Sequence, residues 1–285
     1  MAMTPSTPQR AFTVAAAQLC AGDDVGANLA VCRELAAEAA RRGAALFALP
    51  ECFAFIGRRM TDRLAVAEAL DRPGPILEAV RQMAVEHRMW VLAGGMPEPS
   101  PRSESKTYNT CLLVDPAGET RAVYRKLHLF DVQIPGRAEL RESSSTERGD
   151  DVVVADTPLA RLGLSVCYDL RFPELYREQA MERGAEVLLV PSAFTAHTGQ
   201  AHWHTLLRAR AIENQCFVVA PAQHGRHSQA RESFGHALII DPWGAVLAEL
   251  PEGDGLAVAE IDLAVLARVR EQMPCQSHRV LGTRA

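Results

Sequence analysis

The chain has 285 residues, 48% of them hydrophobic and 23% charged, the balance of a globular protein and not of a disordered one. A net charge of −5 gives no footprint for nucleic acid or an anionic membrane, and short basic pairs such as Arg41–Arg42 and Arg58–Arg59 read as solvated faces. No apolar stretch reaches the ~20 residues of a membrane helix, and seven scattered cysteines without a Cys-x-x-Cys pair argue against disulfides and zinc and for a reducing cytoplasm.

Residues 1–10 read as a loose arm and not as a signal peptide. A buried strand follows over 14–19, then a helix over 28–42 with Leu29, Cys32, Leu35, Ala36 and Ala39 on one stripe and Gly43 as its stop. A strand over 45–49 ends at Pro50–Glu51. The next helix, 75–88, starts on proline and turns Ile76, Val80, Met83 and Ala84 inward. A strand over 89–93 leads to a hairpin of 109–114 and 121–126 across Asp115-Pro116-Ala117-Gly118.

The second half repeats this order. A strand over 162–166 precedes a helix over 173–183, a strand over 187–190, a helix through 203–214 and a strand over 216–220. A hairpin of 236–240 and 245–250 closes over Asp241-Pro242-Trp243-Gly244. RRGAALFALP (41–50) stands beside ERGAEVLLVP (182–191), and LLVDPAG (112–118) beside LIIDPWG (238–244). Arg-Gly-Ala after a helix and Asp-Pro-x-Gly in a hairpin are common chemistry, but six elements in shared order point to internal pseudo-symmetry. Alternating helices and strands give the α/β class. We read 11–273 as one domain of two packed halves, with arms at 1–10 and 274–285.

In open α/β sheets ligands gather at the carboxyl ends of strands, and three reactive side chains fall at such ends. Cys167 follows a strand where the chain turns into a helix, a position that lowers a thiol pKa; the alternative is a buried structural cysteine. Glu51 can act as its base if burial raises the carboxyl pKa toward neutrality, or is a surface carboxylate. Lys126 can hold a fixed charge beside a thiolate and an oxyanion, or is a solvated strand-end lysine. Cys52 is a rival thiol, disfavoured because neighbours on an extended chain point oppositely. His202 and His204 form a His-x-His pair without a third ligand nearby, so no metal is expected, and chemistry by a thiol, a carboxyl and a lysine requires no organic cofactor.

LPE (49–51), YRKLHLFD (124–131) and CYDLRFPEL (167–175) together resemble the nitrilase, or carbon–nitrogen hydrolase, superfamily, and the similarity runs from about Phe12 to Met273. The resemblance implies a four-layer αββα sandwich with two pseudo-symmetric halves. It also implies a catalytic set of Glu51, Lys126 and Cys167. In IPGRAELRES (134–143) it implies a second glutamate, Glu142, with Glu139 a nearby competitor. Segments 191–227 and 233–244 are similar to the Nit branch, and Tyr168 stands where nitrilases proper carry Trp. Two departures stand out: Gln200 where relatives have Pro in TGPAHW, and a tail after Met273 without the usual aromatic ending.

The branch implies an amidase that forms a thioester and releases ammonia from a small linear amide, with deaminated glutathione as substrate. Alternatives are an ω-amidase acting on 2-oxoglutaramate-type amides and, from another class, a non-catalytic interaction protein on this fold. Arg171, Phe194 and His202 are the expected substrate contacts, Arg171 meeting a carboxylate or pairing with Glu174. Arg226 and His227 lie in a loop placed to reach a far carboxylate. Phe172, Leu175, Tyr176, Trp203 and Leu207 are expected at the interface of a cytoplasmic homodimer.

Overall fold

The structure is a computed structural model that describes residues 11–133, 140–229 and 231–281. The first series is β1 (Ala11–Leu19), α1 (Val25–Arg41), β2 (Ala44–Ala48), α2 (Pro75–His87) and β3 (Trp90–Pro99), then the hairpin β4 (Thr107–Val114) and β5 (Thr120–Arg125). A short pair, β6 (Asp131–Val132) and β7 (Leu140–Arg141), and an edge strand, β8 (Val153–Asp156), lead onward. The second series is β9 (Arg161–Leu164), α3 (Pro173–Arg177), β10 (Val187–Leu189), α4 (Ala196–Asn214) and β11 (Phe217–Ala220). The chain closes with β12 (Ala222–Arg226), β13 (Glu232–Phe234), β14 (Ala237–Ile240), β15 (Val246–Leu250), β16 (Gly255–Asp262) and α5 (Leu263–Gln272).

The two series build matching sheets. In one, β1, β2 and β3 run parallel and β4 and β5 antiparallel; in the other, β9, β10 and β11 run parallel and β14 and β15 antiparallel. Strand alternation sorts the first sheet's side chains into two cores. Val14, Ala16, Leu46, Ala48, Leu92, Cys111 and Leu113 pack toward the second sheet. Ala15, Ala17, Phe47, Leu49, Val91, Ala93 and Leu112 pack against α1 and α2. Residues of α3 and α4, such as Tyr176, Trp203 and Leu207, share the core of the second sheet. The layers are therefore helix, sheet, sheet, helix, as the resemblance implied.

Local chemistry explains the element ends. Asp24 caps α1 through the Ala27 N–H, and the expected stripe is the buried one. Glu68 accepts from the N–H groups of Gly74, Ile76 and Leu77 at the start of α2. The helix expected over 173–183 is α3 running into a π-turn over Glu178–Glu182, and α4 begins seven residues before Trp203.

Two departures from the expected layout matter. β12 and β16 belong to the second half in sequence, yet both pair with β1 in the first sheet, β16 antiparallel along Ala11–Gln18 and β12 parallel at Gln18 and Leu19. Leu175, Tyr176, Trp203 and Leu207, expected at a dimer interface, are buried inside the chain, and Phe172 stacks on His128. Exposed apolar side chains lie elsewhere, among them a group at Ile212, Trp243, Val246 and Leu247, with others at Val85, Leu140, Met273, Val280 and Leu281.

Candidate active site

The ends of β2, β5 and β9 converge on a cavity of about 530 Å³ whose lining includes Glu51, Lys126, Glu142, Cys167 and Phe194. Close approach of the chain around Glu51 depends on two glycines in β3. A Cβ on Gly94 would lie 2.1 Å from the Leu49 carbonyl oxygen and 2.4 Å from Pro191 Cβ, so the strand passes between the two halves only as glycine. A Cβ on Gly95 would meet Asn109 Oδ1 at 2.6 Å and Glu51 Cγ at 3.3 Å.

Lys126 is 2% exposed and donates to Glu51 Oε1 and Glu142 Oε2, each at 2.9 Å. That uses two of its three N–H donors. Glu142 Oε2 also accepts from the Phe130 N–H at 2.8 Å, and Arg63 stands 3.8 Å from Glu142 Oε1. Glu51 Oε1 takes a second bond from Asn109 Nδ2 at 2.8 Å, and Oε2 accepts from the Ala193 N–H at 2.9 Å. Two cations thus balance two buried carboxylates, as burial of charge requires.

Cys167 has φ of 50°, and its N–H donates to Pro191 O at 2.9 Å. This left-handed turn is strained for a non-glycine residue. Its thiol meets the Glu51 side chain and the Ala193 N–H. Burial and the neighbouring Glu51 charge push the thiol pKa well up, against the pull of Lys126. The expectation that burial raises the Glu51 pKa is not met. Burial acts in that direction, but the Lys126 charge and hydrogen bond outweigh it, and the carboxyl lies well below its usual range. Opposed in the same way, burial is outweighed at Lys126 by Glu142 and Glu51, which hold its pKa well above normal. The resting cluster is therefore a thiol beside an ion pair.

Asp169, fully buried two residues after Cys167, ties this turn to the lysine segment. It accepts from Tyr124 Oη at 2.6 Å, the Val166 N–H at 2.8 Å and the His128 N–H at 3.1 Å, with His128 Nδ1 at 2.7 Å. The sequence reading missed Asp169, Asn109 and Arg63. Asn109 had a signal: it shares the inward pleat face with Cys111 and Leu113, where a polar side chain stands out. Asp169 and Arg63 had none.

Of the residues expected to meet substrate, Phe194 and Arg226 line the cavity; Arg171 and His202 do not. Arg171 lies behind the wall, its guanidinium 5.1 Å from the Phe194 ring and 6.0 Å from the Tyr168 ring, with His202 Nδ1 at 3.3 Å from Nη1. No ion pair joins it to Glu174 among the described residues. His227 also turns away, bonded to Ala21 O and Ser233 Oγ. Glu139 lies outside the described residues. The His202–His204 pair does not act together: His204 meets Glu249 at 2.8 Å, where His236 at 2.6 Å completes a cluster with donor atoms within 4.8 Å. In it the two imidazoles and the carboxylate satisfy one another, away from the cavity.

Among the described residues no helix is long and apolar enough to cross a membrane. The carbon–nitrogen hydrolase family profile matches residues 13–271. The nitrilase and fragile histidine triad fusion protein NitFhit of Caenorhabditis elegans is 44% identical over 93% of this chain and 60% of its own length. This chain thus spans less than two thirds of that fusion. Its crystal structure superimposes with a TM-score of 0.89 at 43% identity, covering 96% of this chain and 66% of the other. Human deaminated glutathione amidase is 46% identical over 93% of this chain and 81% of its own. Saccharomyces cerevisiae Nit3, of branch 10 of the nitrilase superfamily, aligns at TM-score 0.84 and 29% identity over 93% and 95% of the two chains. With a matching profile over most of its length, a shared sandwich and relatives above 40% identity, the chain belongs to the carbon–nitrogen hydrolase, or nitrilase, family.

Proposed function

We propose that this protein is a thiol amidase in which Cys167 attacks the carbonyl of a short 2-oxo amide, deaminated glutathione first. The observation that carries the reading is one thiol held against the Glu51–Lys126–Glu142 ion cluster at a cavity wall. Glu51 takes the Cys167 proton. The transfer passes one negative charge between neighbours in the field of Lys126, so the charge of the cluster does not change. The thiolate forms the C–S bond, and the oxyanion is held by the free Lys126 N–H and the first N–H groups of the turn after Cys167, a contribution of about 3–4 kcal/mol per donor. Glu51 returns the proton to the departing nitrogen, then activates the water that hydrolyses the thioester. Glu142 fixes the lysine from its other side.

The cavity lining supports an anionic substrate, since six cationic side chains face three carboxylates in a protein of net charge −5. The expected release of ammonia does not hold for deaminated glutathione, a secondary amide whose leaving group is the amine of cysteinylglycine; ammonia leaves only from primary amides such as 2-oxoglutaramate. The test is kcat/KM on both, read as amine and as ammonia. Preference for 2-oxoglutaramate moves the protein to the ω-amidase reading with the same residues. No turnover of any amide would sink the enzymatic reading in favour of an interaction protein.

The reading includes residues 11–273 as one domain, because β12 and β16 complete the sheet of the other half. Free thiols at all seven cysteines fit a reducing cytoplasm. A homodimer is supported by the exposed apolar group at Ile212, Trp243, Val246 and Leu247, not by the helix faces first considered.

A further inference from the structure

Five of the six cations lining the cavity already have carboxylate partners. Arg58 lies 3.5 Å from Asp23, Arg59 2.9 Å from Asp62, Arg63 3.8 Å from Glu142 and Arg226 3.8 Å from Glu232, and Lys126 is held by Glu51 and Glu142. Arg231 makes no ion pair among the described residues, yet it lines the same cavity and is only partly exposed. A partly buried guanidinium without a counter-ion is costly to keep, and that cost is recovered when a ligand supplies the anion. It shares that lining with Glu51 and Cys167, and its charge acts to lower the Glu51 pKa.

The backbone of Arg231 is tied to the end of β12. The N–H groups of His227 and Ser228 both donate to the Arg231 carbonyl oxygen, at 2.9 and 3.3 Å. His227 Nδ1 faces a carbonyl that can only accept, Ala21 O at 2.8 Å, so Nδ1 carries the proton and Nε2 accepts from Ser233 Oγ at 2.9 Å. Burial keeps that imidazole neutral, with its pKa pushed down to about 4. The foot of the hairpin is indexed to the reactive residues: Gln223 Nε2 donates to Glu51 O at 3.1 Å, and the Phe234 N–H to Phe194 O at 2.9 Å.

We infer that Arg231 is the carboxylate-binding residue of this cavity, its backbone carbonyl anchored by the N–H groups of His227 and Ser228 and its guanidinium left for an anionic substrate. The inference rests on the amidase reading only for the identity of the anion, a carboxylate either of the 2-oxo acyl part or of the leaving group. The experiment is equilibrium binding of 2-oxoglutarate and, separately, of cysteinylglycine to the full chain, wild type against Arg231→Gln and Arg231→Lys. Loss of a charge-assisted contact predicts affinity about ten- to a hundredfold weaker in Arg231→Gln for one probe, with part regained in Arg231→Lys. The probe that responds says which end is held. Binding of both probes unchanged in Arg231→Gln, or neither probe bound by the wild type, overturns the assignment. Anion binding that depends on Arg231 in a protein that turns over no amide would leave this subsite standing and remove the enzymatic reading.

Discussion

Cys52 and Cys167 start from nearly the same local structure. Both follow a strand end, both have left-handed backbones with φ of 57° and 50°, both are 8% exposed, and both have pKa values raised by burial and by the Glu51 charge. They differ in which face they occupy. Cys167 packs between the sheets and lines the large cavity; Cys52 packs on the helix side, does not line that cavity and borders a pocket of about 10 Å³. Of the two thiols, only that of Cys167 is acted on by both the Glu51 side chain and the Ala193 N–H. Residue type and backbone strain are common to the two thiols. Access to the large cavity, where the Glu51 carboxyl also lies, is not.

The comparison breaks most sharply at Cys167. Cys167→Ala is expected to lower kcat by at least about 10⁴-fold, as loss of a sole nucleophile does, with unchanged far-UV circular dichroism. Because its pKa is raised, iodoacetamide labelling of Cys167 should climb with pH up to and beyond 9, without a plateau near neutrality. Peptide mapping that finds Cys52 labelled first would reverse the assignment.

Lys126→Met tests the charges beside the favoured thiol. It leaves Glu51 and Glu142 buried together without their shared cation, a loss of about 3–5 kcal/mol in denaturant unfolding, along with turnover. The sign with pH should also change. In the wild type Glu51 has a depressed folded pKa, so its contribution is complete above the unfolded carboxylate pKa and is lost as pH falls below it. Lys126, with a raised pKa, contributes fully below its unfolded value and loses this only in strong alkali. Without the lysine, burial and mutual repulsion raise the carboxylates, and the variant should grow more stable on mild acidification where the wild type weakens.

The smallest effect is expected at Cys52. Cys52→Ala keeps the backbone type, leaves the cavity lining intact and should hold kcat/KM within about threefold, the scale of a small core change away from the reacting groups. A drop comparable to that of Cys167→Ala would erase the distinction between the two turns.

Much of this was legible because some physics is local. The stripe of α1, proline at the start of α2 and the Asp-Pro-x-Gly turns are decided by neighbours three or four residues away. The order of Glu51, Lys126 and Cys167 at strand ends, and their motifs, pointed to one family. Arg171 misled because one helical turn from Cys167 in sequence is not the same cavity wall in space. Its guanidinium packs behind Phe194 instead.

The sequence by itself determined the alternation of elements, the repeat of two halves and the candidates for nucleophile, base and lysine, since each follows from periodicity or motif. Only the tertiary structure decided that β12 and β16 cross into the opposite sheet, that Asn109 and Arg63 join the ion cluster, and that Arg231 has no carboxylate partner among the described residues. It also decided the sense of the Glu51 shift, since burial and a buried lysine act in opposite directions. The reason is common to all of these: strand register, charge pairing and the field at a buried carboxyl are sums over partners distant in sequence, and only packing brings those partners together.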